Sequence, residues 1–128
     1  MHENLKDRFA DISQKIQAAC NEAKRSEKDV QLIAVSKLQS IEVIKEAYSL
    51  GVNHFGENYA QELDKKVFAS PKDIIWHFIG PIQSNKVKLI AKHAHWIHSL
   101  DREKIAKKLN DALEIEGRKI KVLIQVNI

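Results

Sequence analysis

Four apolar runs, each ending in a polar cluster and each followed by a helix-like segment, constrain this chain more than any other feature. Leu32-Ile33-Ala34-Val35 leads to Lys37. The later runs end at Phe55-Gly56-Glu57-Asn58, His77-Phe78-Ile79-Gly80 and Ile97-His98-Ser99. Strand then helix, repeated, predicts parallel βαβ units joined by right-handed crossovers, so all the strand ends share one rim. A lysine at such a rim, among convergent polar groups, is placed to hold a carbonyl compound as a Schiff base.

The periodicities supply the elements. Leu5, Phe9, Ile12, Ile16 and Ala19 recur at steps of three and four, which predicts an amphipathic packing helix ahead of the first strand. Residues 31–37 read as a buried strand. Residues 40–50 carry Ile41, Ile44, Ala47 and Tyr48 on one helical face, with Ser40 as N-cap and Gly51 as terminator. A short strand over 52–56 follows, then a helix to about residue 68, capped by Asn58 with Gln61 completing a capping box. Residues 74–79 form the third strand. Ser84 opens a helix with Val87, Ile90, Ala91 and Ala94 inward, and 95–99 form the fourth strand. Asp101 caps a helix bearing Ile105, Leu109 and Leu113, Gly117 ends it, and 120–128 are a fifth strand.

Two architectures accommodate this order. An open doubly wound sheet would often show a glycine-rich turn after the first strand, and Val35-Ser36-Lys37-Leu38-Gln39 has none. The alternative is a (β/α)8 barrel, which takes about 250 residues when complete. The sequence of 128 residues stops in or just after strand five. On the residues alone the expectation is an α/β chain, either an open sheet or the N-terminal part of a TIM-type barrel, strands one to five. It is read as one domain over 1–128, with the packing helix over 1–28 and the βα units over 29–128.

Bulk properties remove several function classes. Cys20 is the only cysteine, so no intrachain disulfide can form, and its place on an apolar helix side reads as packing. No run of 18 apolar residues and no apolar leader-like stretch is present, which points to a cytoplasmic protein that does not span a membrane. The net charge of +4 is spread over helix faces such as Lys104, Lys107 and Lys108. With no aromatic-interleaved basic stripe and no zinc-finger spacing, nucleic acid is not an expected partner. Six histidines raise the question of a metal. However, strand alternation puts His95 and His98 on opposite faces, and neither a His-Glu-x-x-His motif nor a cysteine pair occurs, so no metal is expected.

Among candidate site residues, Lys37 stands out: free lysine titrates at about 10.4, and burial against a barrel core would lower that toward a usable amine, whereas a solvated lysine is the ordinary reading of a strand-end position. Asn58 fits either hydrogen bonding beside a bound ring or helix capping. His77 fits either the mouth of a site or a satisfied core position. Gly80 fits close backbone approach or the turn into Pro81. Gln83, Ser84 and Asn85 stand at a helix start, where anions bind and where capping residues also gather. His98, Ser99, Gln125 and Asn127 add polar groups from strands four and five.

The segments Leu32 to Lys37, His54 to Glu62, Trp76 to Lys86, His98 to Arg102 and Val122 to Ile128, in order and with matching gaps, resemble the pyridoxal phosphate homeostasis proteins. The fold of that family is similar to the N-terminal barrel of bacterial alanine racemase. The resemblance implies pyridoxal 5′-phosphate as cofactor, with Lys37 forming the internal aldimine, Asn58 beside the ring and His77 near the mouth. It also implies a binding role in vitamin B6 homeostasis without established catalysis. The alternatives are a fold-type III racemase or decarboxylase using Lys37 as acid/base, and a truncated fragment that binds nothing. Relatives usually continue after the lysine with threonine, a basic residue and proline, where this chain has Leu38-Gln39-Ser40. By the same resemblance the phosphate cup and an arginine facing the pyridine nitrogen belong to later strands, which this sequence does not contain. A half barrel leaves open sheet edges and an uncovered apolar face, so self-association is expected.

Overall fold

The computed structural model describes residues 4–128, so the start of the packing helix expected over 1–28 lies partly outside the described residues. Helix α1 runs Leu5–Glu22, capped by the Asn4 side chain, which accepts a hydrogen bond from Asp7 N at 2.8 Å. It ends earlier than residue 28: Lys24 adopts a left-handed φ of 56°, and a 3-10 turn at Glu27–Asp29 follows. Cys20 is buried, while Leu5 and Phe9 pack against the main core.

The βα alternation is then realised in full. The order is β1 (Ala34–Val35), α2 (Ile41–Ser49), β2 (His54–Glu57), α3 (Ala60–Ala69), β3 (Ile75–Phe78), α4 (Val87–His93), β4 (Trp96–Leu100), α5 (Glu103–Glu116) and β5 (Lys121–Ile124). All pairings are parallel, and the strands lie in sequence order, β1-β2-β3-β4-β5. Right-handed crossovers between strands laid down in one direction put every helix on the same side. A doubly wound sheet would reverse direction at a switch point and place helices on both sides. The sequential order therefore decides for a barrel-type wall.

Pairing register fixes which side chains share a face. Phe55, Glu57, Trp76, Phe78, Ile97 and Ser99 face the helices and are buried. Ile44 and Ala47 from α2, Leu63 from α3, Ile90 and Ala91 from α4, and Ile105 and Leu109 from α5 close over them. Val35, His54, Gly56, Ile75, His77, Trp96 and His98 fall on the opposite face, which is the concave inner wall. Strand β5 is exposed throughout, and a register irregularity between Ile97 and Leu100 sets its pairing with β4.

Several element boundaries differ from expectation. The cap of α3 is Tyr59 rather than Asn58, with no side-chain cap bond, so the Asn58–Gln61 capping box does not form. Arg102 rather than Asp101 precedes α5, and the Asp101 carboxylate instead accepts from Arg102 Nε at 3.3 Å. Ser40 does cap α2, accepting from Val43 N, and Gly117 ends α5 in the left-handed conformation at φ 64°. The segment opened by Ser84 begins as a 3-10 turn, Ser84–Lys86, before α4.

Candidate functional site

The C-terminal ends of the parallel strands carry Lys37 after β1, Asn58 after β2, and Ile79 and Gly80 after β3. Ligands in parallel α/β folds bind at this rim because the strand ends and the following turns leave polar backbone and side chains uncovered there. Lys37 is exposed, so the expected burial against the core is not met in this chain.

What holds Lys37 is its neighbour. Ser36 is buried, its N–H donates to Gly56 O at 2.9 Å, and its carbonyl accepts from Gln39 N at 3.0 Å, closing a turn around Lys37 and Leu38. That same carbonyl accepts from Lys66 Nζ at 2.7 Å. Lys66 also donates to both carboxylate oxygens of Glu57, at 2.9 and 3.0 Å, and the Ser36 hydroxyl donates to Glu57 Oε2. Glu57 is fully buried and Lys66 nearly so. Sequence reasoning passed over both residues. The available signal was spacing: Ala60, Leu63 and Lys66 recur at steps of three along α3, so a lysine occupied an inward position.

Asn58 packs its backbone against Gly80, where a Cβ would come within 2.8 Å of Asn58 Cα. The Gly80 carbonyl accepts from Ser99 Oγ at 2.5 Å, tying the rim ends of β3 and β4 together. Freed from capping, Asn58 leaves its Oδ1 buried without a hydrogen-bond partner among the described residues. A buried carbonyl oxygen in that state is poised to accept a donor.

His77 lies on the inner wall below the rim, in line with two other histidines. Its Nε2 is 2.9 Å from His54 Nδ1 and its Nδ1 is 2.9 Å from His98 Nε2. Trp96 stacks on its ring at 5.8 Å, and Lys121 Nζ stands 5.1 Å over Trp96. Burial, and then the neighbouring His98, His54 and His95, lower the pKa of His77 to about 4. Burial also lowers those of His54, His95 and His98. His95 faces away from this row, as strand alternation predicts, and accepts from Trp76 N. Two neutral partners on a neutral imidazole use its one N–H and its one lone pair, so the row has a single direction of donation.

A profile described as alanine racemase, N-terminal domain, matches residues 11–128. The chain belongs to the alanine racemase N-terminal domain family. Within that family it is 47% identical over 127 residues to a pyridoxal phosphate homeostasis protein of Pasteurella multocida, covering 97% of this chain and 54% of the relative. It is 43% identical over 124 residues to the protein of that name from Escherichia coli strain K12, covering 94% and 53%. The chain thus spans about half the length of the curated relatives it matches. The solved structure of PipY from Synechococcus elongatus with pyridoxal phosphate bound superposes with a TM-score of 0.75 at 37% identity, covering 88% of this chain and 54% of that one. These likenesses bear out the family resemblance and establish the fold as the N-terminal part of an alanine racemase-like (β/α)8 barrel. No helix among the described residues is long and apolar enough to cross a membrane.

Proposed function

We propose that this chain carries the lysine-bearing half of a pyridoxal 5′-phosphate site, with Lys37, Asn58 and His77 as the cofactor-binding residues, and that it serves vitamin B6 homeostasis by binding rather than catalysis. The observation carrying this reading is the held turn at the barrel rim that presents the exposed Lys37 amine. The residues fit the group in two further respects: Asn58 offers a buried, unpartnered amide oxygen, and the inner wall below carries the His54–His77–His98 row. Bound pyridoxal phosphate would supply an aldehyde that a lysine amine captures reversibly. Lys37 would provide that amine, Asn58 would orient the ring through its free amide, and His77 would stand neutral at the pH of the cell. A racemase or decarboxylase would need a second proton-transfer group positioned opposite Lys37. The cytoplasm is the compartment in which such a carrier would work, with no nucleic-acid partner.

Titration with pyridoxal phosphate, borohydride reduction and peptide mapping tests the reading. The expected result is saturable label concentrated on Lys37. Label scattered over surface lysines would overturn it, and turnover of D- or L-alanine would overturn the non-catalytic part.

The same chain is proposed to self-associate. Val122, Leu123, Ile124 and Val126 are exposed on and beside a strand edge, and Val35 is half exposed on the inner wall. Unpaired strand edges flanked by apolar side chains template further pairing. Sedimentation velocity across a range of concentrations is expected to show dimers or larger species, and a monomer throughout would refute the proposal.

A further inference from the structure

Two costly features converge on the tetrapeptide Ser36-Lys37-Leu38-Gln39. Leu38, a γ-branched residue 76% exposed, adopts φ 61°, a region L side chains rarely occupy. Its exposed side chain gains no packing that would offset the strain. Behind the turn lies the Glu57–Lys66 ion pair, removed from water on both sides. Buried pairs of this kind are weak stabilisers because desolvation offsets attraction, so a specific placement is a better account of one than stability.

The hydrogen-bond geometry shows what is placed. The Lys66 ammonium has three protons, and its three close partners are the two Glu57 oxygens and the Ser36 carbonyl. Glu57, from β2, also takes the Ser36 hydroxyl. Ser36 is therefore fixed through its N–H, carbonyl and hydroxyl, to β2 on one side and to α3 on the other. The next residue is Lys37. We propose that the buried Glu57–Lys66 pair is a positioning device, clamping the Ser36 carbonyl so that the left-handed turn at Leu38 persists and aims the Lys37 amine along the rim. This rests on the cofactor reading above for what the amine meets, although the clamp itself does not.

The test uses wild type, the paired replacement Glu57→Leu with Lys66→Met, and Leu109→Ala as a control that loosens the core away from the turn. Removing both charges leaves no orphaned ion, which favours retention of the fold. The first readout is amide hydrogen exchange at Gln39, whose N–H bonds to the clamped carbonyl. In wild type this exposed-turn amide is expected to be protected about a hundredfold over an unstructured peptide. Free exchange there would overturn the proposal whether or not any variant folds. In the paired variant that protection is expected to vanish, while Leu109→Ala keeps it.

The second readout is the rate of borohydride-trapped labelling of Lys37 by pyridoxal phosphate, expected to fall about tenfold or more in the paired variant because misaimed groups react slowly. Leu109→Ala should stay within about twofold of wild type. A folded paired variant with wild-type exchange and labelling would refute the clamp. Clamped exchange in a wild-type chain that never labels at Lys37 would refute the cofactor reading and leave the clamp standing.

Discussion

Lowering the pH from 7 to 5 is expected to destabilise this fold by about 2 kcal/mol through His77 alone, because one unit of pKa shift is worth about 1.4 kcal/mol. The folded-state pKa of about 4 lies below the ordinary 6.5, so the unfolded chain takes up the proton first. The contribution is fully present above about pH 6.5, declines as the pH falls, and is exhausted near pH 4. His54, His95 and His98 are shifted the same way and add to the loss. Burial is the first reason, and the neighbouring rings are the second. Charging two neighbouring rings turns a 2.9 Å N–H···N bond into N–H facing N–H, and Arg118 bears on His95. Against a typical domain stability of about 5–15 kcal/mol, the combined effect is a large fraction. Urea unfolding followed at pH 7 and pH 5 should show the midpoint falling by about 1 M. Equal midpoints would mean the row is not held neutral.

The row of histidines also shows where the sequence stopped being legible. His77 and His98 were identifiable as polar groups on strands three and four, and alternation correctly separated His98 from His95. What joins His54, His77 and His98 is a stagger of two residues per strand relative to the pairing register, since Gly56 and not His54 lies opposite His77. No periodicity within one strand encodes that offset; it comes from the tilt of neighbouring strands.

Strand and helix order were readable because each apolar run had a length and spacing that only one element type suits. Lengths were less so. Residues 31–37 carry a continuous strand signal, yet only Ala34 and Val35 are paired, since Ser36 turns inward to the Glu57–Lys66 clamp and Leu38 leaves extended geometry. The helix starts at Asn58 and Asp101 were misplaced by one residue for a local reason. Tyr59 and Arg102 remain extended, at φ −124° and −141°, so each helix begins after them. The flanking motif is what singles out Lys37 for the proposed cofactor role. The clamp behind it was not legible in this way, because a buried lysine is indistinguishable from a surface one until the face of its helix is known.

Gly80→Ala is expected to destabilise the chain by about 2–3 kcal/mol, the upper range for forcing a methyl group into filled space. The added Cβ would meet Asn58 Cα at 2.8 Å and Asn58 C at 2.9 Å, with the Asn58 carbonyl oxygen closer still. All three are backbone atoms, so no rotamer change relieves the clash; the rim end of β2 must move away from that of β3. That movement would also pull Gly80 O from Ser99 Oγ, untying β3 from β4. Gly56→Ala is the informative contrast. There the nearest atom is Ile79 Cδ1 at 3.2 Å, the tip of a side chain that can rotate, and the loss should remain below about 1.5 kcal/mol. Because Asn58 is proposed to orient the ring, Gly80→Ala should weaken pyridoxal phosphate labelling at Lys37 as well, and Gly56→Ala should do so less. Thermal or urea unfolding of the two variants decides the first point. Equal stabilities would show that the Asn58–Gly80 contact yields without strain, and that Gly80 serves only the turn into Pro81.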